Sequence, residues 1–254
     1  MTRLRSAQPE SSVERFFLRQ PLQLANSPAP TSQSDIVELD GTEAHHLLHV
    51  LRAKVSDRLG LFNGEGAEAL AEIVNIRKRS AELRLLETWS VPAEPRSLTI
   101  ATAMPKGDRA RWLIEKSTEL GVTRMIPLRT QRSVVEPGES KMDKLEQAVI
   151  AACKQCGRSR LMTMNPLMTF ANLLRELTPV ALIAQPNAPI SMSEAFSQSI
   201  DQSALMLVGP EGGFTDDEFS AAVTAGAIPV NLGPHILRIE TAAIAVAAAW
   251  RLST

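Results

Sequence analysis

Tyrosine is absent from this 254-residue chain, and seven Phe and three Trp bring the aromatic share to only 4%. Apolar residues still make up 44%, so the core is expected to be aliphatic. The shortage of rings argues against a stacking platform of the kind that presents aromatic faces to bases. Two cysteines in a chain of this length do not make a disulfide framework, and a reducing, cytoplasmic setting is the expectation. The longest uninterrupted apolar run, Ala242 to Trp250, is nine residues. A membrane span needs about 20, so none is expected. Residues 1–14 contain no apolar run of the signal-peptide kind. They are expected to form a flexible extension, with a weak transit peptide as the alternative.

At about 150 residues per domain, the length allows one large domain or two small ones. The 22% of charged residues is ordinary for a globular chain and excludes disorder. Net charge is −1, but it is unevenly placed. Residues 1–90 hold 11 Lys/Arg and 12 Asp/Glu, residues 96–163 hold 13 and 7, and residues 164–254 hold 3 and 8. With Glu94, the balances of −1, +6, −5 and −1 sum to the total. A basic middle segment implies a local polyanion footprint, with solvated helix faces as the alternative.

Val91-Pro92-Ala93-Glu94-Pro95-Arg96-Ser97 reads as a linker because two prolines fall between two different patterns. Before it, residues 15–90 carry short β-like runs at Arg15–Leu18, Ile36–Leu39, Arg58–Phe62, Ala69–Ile76 and Ala81–Thr88, with turn signals between them. One helix is expected over Thr42–Leu51, with Leu47, Leu48 and Leu51 at helical spacing. This reads as a small β-barrel. Over residues 98–254, strands at Leu98–Met104, Met125–Leu128, Val180–Ala184, Ala204–Val208 and Ile228–Leu232 alternate with helices. The helices are placed at Asp108–Leu120, Met142–Cys156, Phe170–Leu177, Thr215–Ala225 and Ile239–Leu252. Strand–helix alternation implies an α/β domain with a mostly parallel sheet.

Two glycine-proline loops follow strands and precede helices: Gly209-Pro210-Glu211-Gly212-Gly213-Phe214 and Leu232-Gly233-Pro234-His235-Ile236-Leu237-Arg238. Ligands of open parallel sheets bind beyond the carboxyl ends of the strands, and glycine lets backbone approach a ligand closely. The first loop lacks the spacing of a dinucleotide fingerprint and the lysine of a P-loop. Arg238 and Glu240 are isolated charges beside an Ala-rich helix. Such charges are functional or paired with each other on the surface. No nearby cysteine or acidic motif joins His45, His46 and His49 into a zinc site. They read as solvated or RNA-facing, and no metal site is expected. Cys153 and Cys156 lie within a helical pattern and read as structural. Lys106, Arg109, Lys116, Arg129, Arg132, Arg158 and Arg160 supply the basic excess that phosphate contacts require.

The segments Lys106-Gly107-Asp108-Arg109, Lys116 to Val122, Gln155-Cys156-Gly157-Arg158, Gly209 to Phe214 and Leu232 to Ala242, in this order, resemble one family. It is that of the 16S ribosomal RNA uracil-N3 methyltransferases of the SPOUT class. Arg15-Phe16-Phe17, His45-His46-Leu47, Val50-Leu51-Arg52 and Asn63-Gly64 resemble that family's PUA-like RNA-binding domain. The resemblance implies a C-terminal α/β domain tied in a trefoil knot, an exception to unknotted topology. It implies S-adenosyl-L-methionine as methyl donor, a homodimer, and a target uridine in helix 44 at the decoding centre of the small subunit. The donor would lie against Leu207, Val208, Gly209, Pro210, Glu211, Gly212, Gly213, Leu232, Gly233, Ile236, Leu237, Arg238, Thr241 and Ala242. Arg238 is expected to stabilise the charged base, with Glu240 orienting it. Arg15, His45, His46, Arg52, Lys106, Arg109, Lys116, Arg132 and Arg158 are expected to contact RNA. His235, Ser56, Ser117 and Lys154 stand where the family often has Arg, Gly, Ala and Glu. The first bears on substrate contacts, and the other three on packing or surface charge. The alternatives are a non-catalytic ribosome-assembly factor and a SPOUT enzyme acting on transfer RNA or a ribose hydroxyl.

Overall fold

In the computed structural model the described residues are 13–22, 36–178, 180–198 and 203–253. The expected extension 1–14 therefore lies, except for its last two residues, outside them. The chain divides into two units: Met1–Ala93 with Lys154–Arg160, and Glu94–Cys153 with Leu161–Thr254. The short segment 154–160 thus joins the first unit, although the sequence reading places it within the second domain.

The first unit contains strands β1 (Arg15–Phe17), β2 (Ile36–Leu39), β3 (Arg58–Phe62), β4 (Ala67–Ile76) and β5 (Ala81–Ser90). They form one sheet in the order β1-β3-β4-β5-β2. Alternate residues of β4 and β5 turn into one aliphatic core with Phe16, Leu39, Leu47, Leu59 and Leu83, as a half-buried antiparallel pair requires. Register shifts at Leu70/Ala71 and Ile73/Asn75 add twist. The β3–β4 turn is held by Asn63, whose Oδ1 accepts from the amides of Glu65 (2.9 Å) and Ala67 (3.0 Å).

The helix expected over Thr42–Leu51 is shorter and changes pitch. Helix α1 is Gly41–His45, and a π-turn follows over His46–Val50, with the Leu51 amide bonded to the His46 carbonyl at 3.0 Å. The wider pitch rotates the later residues, so Leu47 is buried while Leu51 is 43% exposed. Glu68 is the polar centre of this unit. It is buried, takes Arg15 Nη2 at 2.7 Å and Trp89 Nε1 at 2.8 Å, and accepts the Ser159 hydroxyl.

The second unit is an eight-stranded parallel sheet. Its elements are β6 (Leu98–Thr102), α2 (Asp108–Glu119), β7 (Arg124–Arg129), α3 (Glu139–Cys156), β8 (Thr163–Met164), β9 (Met168–Thr169), α4 (Phe170–Leu173), β10 (Val180–Ala184), β11 (Ile190–Ser191), α5 (Met192–Gln198), β12 (Ala204–Val208), α6 (Asp216–Thr224), β13 (Ile228–Asn231) and α7 (Ile239–Leu252). The order is β11-β13-β10-β12-β6-β7-β8, with β9 also on β7. Strands β6, β10 and β12 are buried almost throughout, the mark of a parallel sheet covered on both faces.

Gly121 (φ +85) and Gly157 (φ +78) follow α2 and α3 in the left-handed conformation that ends helices. Two expectations change. The helix at Phe170 stops at Leu173 instead of Leu177. Trp112, expected on the apolar face of α2, is 45% exposed, and that face is made by Ala110, Leu113, Ile114, Ser117 and Thr118. Strands β8, β9 and β11 and helix α5 are absent from the sequence reading. Among the described residues no helix is long and apolar enough to cross a membrane.

Candidate active site

Because the strands are parallel, the chain leaves β6, β12 and β13 at the same edge of the sheet. Val208 lies opposite Thr102, so the segment after β12 emerges beside the segment that enters α2. Leu207 and Val208 are buried at the end of β12, and Gly209 to Phe214 then form a turn in which the Gly213 amide bonds the Pro210 carbonyl at 2.8 Å. Gly213 has φ +68, a conformation that costs a side-chain-bearing residue roughly 1–2 kcal/mol. A Cβ on Gly209 would sit 3.2 Å from the Phe214 ring and amide. The backbone here is packed against itself as closely as a glycine permits.

The loop is anchored from outside. Arg132 Nη1 donates to the Gly212 carbonyl at 2.6 Å and to the Phe214 carbonyl at 3.4 Å. At its far end Thr215 caps α6, with the Glu218 side chain returning to the Thr215 amide at 3.0 Å in a capping box. The other carboxylate oxygen of buried Glu218 accepts from the Gln131 amide at 2.7 Å. The segment 131–132 and the glycine loop are therefore joined at two points.

The second loop leaves β13 through Asn231. Its amide donates to the carbonyls of Ala188 (2.8 Å) and Ile190 (3.2 Å), and its Oδ1 accepts from Gly233 (φ +105) at 3.2 Å. Leu232 to Leu237 lead to Arg238, the residue capping α7. Ile236 is 87% exposed. Arg238, His235 and Thr241 are exposed, and Ala242 is buried.

Arg109, in the first turn of α2, links the first loop to the first turn of α7, the helix that the second loop enters. Its guanidinium lies 3.8 Å from Glu211 Oε1 and 3.4 Å from Glu240 Oε1. Glu240 is buried, and its Oε2 has no hydrogen-bond partner among the described residues. The expected pairing of Glu240 with Arg238 is replaced by this contact, because α2 packs on α7 and brings Arg109 to the carboxylate.

The nine expected RNA contacts divide into two groups. Arg15 is ion-paired to Glu68 beneath the sheet and lies over the Phe62 ring at 5.1 Å. Arg132 holds the glycine loop, and Arg109 holds the two carboxylates. Lys116 is paired with Glu119 at 2.6 Å, a hydrogen bond that raises its pKa. Arg158 is half-buried, and its carbonyl accepts from Arg15 at 3.4 Å. Arg52, Lys106 and His45 are exposed. His46 is half-buried with its ring 5.8 Å from Phe16, and the π-turn sets the His45 and His49 rings 4.9 Å apart.

Sequence reading missed Gln131, the bond that Glu218 accepts from its amide, and the internal use of Arg132. The Thr215–Glu218 capping signal was visible, but a side chain's second oxygen leaves no local pattern. A cavity of about 400 Å³ lined by Glu94, Arg96, Leu120 and Trp250 is a separate feature. Glu94 and Arg96 precede β6, Leu120 follows α2 and Trp250 lies near the end of α7, which places the cavity by the amino end of β6. There Arg96 stacks on Trp250 at 4.2 Å.

Comparison with known proteins gives this arrangement a context. Residues 92–251 match the RNA methyltransferase domain and residues 39–86 the RNA methyltransferase PUA domain. The chain is 35% identical over 218 residues to ribosomal RNA small subunit methyltransferase E of Rickettsia conorii, covering 82% of this chain and 86% of that one. It is 27% identical over 243 residues to the enzyme of the same name from Bacillus subtilis, covering 91% and 93%. Among solved structures it resembles a Legionella pneumophila methyltransferase with bound cofactor SAM, at TM-score 0.83, 29% identity and coverage of 94% and 97%. It also resembles the Neisseria gonorrhoeae small subunit methyltransferase E bound to S-adenosyl methionine, at TM-score 0.81, 30% identity and coverage of 93% and 96%. An RNA methyltransferase PUA unit followed by a parallel α/β RNA methyltransferase unit, with identity running through both, makes this chain a member of the ribosomal RNA small subunit methyltransferase E family.

Proposed function

We propose that the chain transfers a methyl group from S-adenosyl-L-methionine to N3 of one uridine in helix 44 of 16S ribosomal RNA, as a homodimer acting on the small subunit. The observation that carries this reading is the pair of glycine loops at one sheet edge, with Arg109 linking the first loop to the helix that follows the second. The residues suit the donor. Gly213 leaves open space where a side chain would stand, and the buried Glu240 Oε2 has, among the described residues, an unfilled acceptor position. Gly209 to Gly213, Leu232, Gly233, Ile236, Leu237, Thr241 and Ala242 would hold the donor, as in a trefoil-knot site. When bound, it supplies a methyl carbon activated by a sulfonium.

The chain's own work is placement and charge. The N3 edge of uridine is a pairing edge, so the base must leave its stack before reaction. Loss of the N3 proton puts negative charge on O2 and O4, and the exposed Arg238 guanidinium is the cation suited to stabilise it. Holding donor and base in line supplies several kcal/mol of barrier reduction, an estimate of about 7 or more for well-oriented reactants. The exposed Arg52, Lys106 and His45 hold RNA phosphates.

Incubation of undermethylated small subunits with the chain and the donor, followed by primer extension, tests this. The expected result is one new polymerase stop in helix 44, because a methyl on N3 blocks pairing. A stop elsewhere refutes the address, and methyl incorporation without a stop refutes N3. Failure of calorimetry to detect donor binding would favour the assembly-factor reading. At saturating donor, Arg238→Ala should slow single-turnover methylation about 100-fold or more.

A further inference from the structure

We propose that Arg109 is a positioning residue that holds the 209–214 loop and the first turn of α7 in one arrangement, and that it is not a phosphate contact. The proposal rests on the reading of these loops as the donor site. Gly107, at φ +62, turns the chain after β6 into α2. This places Arg109 beside the loop that follows β12, since β6 and β12 are register neighbours. Its two terminal nitrogens face different carboxylates: Nη2 is 3.8 Å from Glu211 and Nη1 is 3.4 Å from Glu240. A planar guanidinium can serve two acceptors at once, whereas a lysine ammonium is a single point charge.

Glu240 supplies the second observation. Its side chain is only 7% exposed and its Oε2 has no partner among the described residues, so Arg109 is the side chain that holds its orientation. A buried carboxylate deprived of its cation is strongly unfavourable. A phosphate approaching Arg109 would also meet Glu211 and Glu240, and like charges at such distances repel.

The test measures donor binding by calorimetry with S-adenosyl-L-methionine, and RNA binding as a function of salt. It uses the full chain and its R109A, R109K, E240Q and R109A/E240Q variants. R109A should weaken donor binding at least about tenfold. The double variant should lose no more than R109A alone, because the uncompensated carboxylate is gone. The slope of log affinity for RNA against log salt should match wild type, and the KM for donor should rise more than kcat falls. Should R109A fail to fold, R109K carries the test, with donor affinity expected to fall about threefold or more because the fork is lost. An RNA salt slope reduced by about one, with donor affinity intact, would make Arg109 a phosphate contact and overturn the proposal. Lower thermal stability with unchanged donor affinity would also overturn it. If the unmutated chain binds no donor, the functional reading falls and this proposal with it. Donor binding that ignores every Arg109 variant removes this proposal alone.

Discussion

Three residues that depart from the family pattern have separate physical explanations. Ser56 lies at φ +77, a left-handed backbone conformation that glycine adopts without strain. Ser56→Gly should therefore raise stability by roughly 0.5–1 kcal/mol in urea unfolding, and a loss would contradict the strain. Ser117 is fully buried and its hydroxyl has no partner among the described residues. Ser117→Ala should stabilise by about 1 kcal/mol, since it removes a desolvated polar atom. Lys154 pairs with Glu43 at 2.8 Å and lies 4.9 Å from the Phe16 ring centroid. A change expected to tune surface charge is thus a half-buried ion pair. Composition could not distinguish these cases, because a backbone dihedral and a missing partner are properties of the fold. The glycines of the 209–214 loop were legible as residue types. At Gly212 a Cβ would meet Arg132 Cδ at 3.2 Å, so a larger residue there would require that side chain to shift.

Elements with strong local signals were readable. Strand β12 and helix α7 have the expected bounds, and Thr215 and Glu218 cap α6 as their spacing predicts. The two-residue strands β8, β9 and β11 were not readable, because two residues carry no period. Helix α5 had a signal that went unused. Ser191 and Glu194 stand three apart, and the Ser191 amide and hydroxyl both donate to the Glu194 carboxylate, at 2.8 and 2.6 Å. These hydrogen bonds hold the Glu194 carboxyl below its ordinary pKa. A lowered folded-state pKa contributes stability above the ordinary carboxylate range, and that contribution is lost as pH falls through the lowered value. Acidification below about pH 4.5 should therefore lower the melting temperature of wild type slightly more than that of Glu194→Gln. Equal losses would deny the cap its charge. At α6, Thr215→Ala should cost about 1 kcal/mol of stability. It should also weaken donor binding, because the cap ends the glycine loop.

At the level of the whole molecule, the +6 balance of residues 96–163 looked like an RNA footprint. Within it, Arg109, Lys116 and Arg132 have carboxylate or carbonyl partners, while Lys106 remains exposed. Net charge shows that cations are present but not what they face. RNA affinity should still fall steeply with salt. Replacing Arg52 and Lys106 together with Ala should reduce the salt slope by about two without touching donor affinity, measured by filter binding across a salt series. An unchanged slope would place the phosphate contacts elsewhere.

The division of the chain has a practical outcome. Residues Lys154–Arg160 belong to the first unit, where Ser159 reaches Glu68 and Arg160 Nη2 donates to the Val91 carbonyl at 3.0 Å. At Gly66 a Cβ would stand 2.5 Å from that guanidinium, so this fit leaves no slack. A protease nick between Ala93 and Pro95 should thus fail to release two independent pieces on gel filtration, since the longer fragment keeps a plug seated in the shorter one. The first ninety-three residues produced alone would carry the Glu68 carboxylate without one of its three donors, and gene fusions that exchange this half between relatives must bring the heptapeptide along.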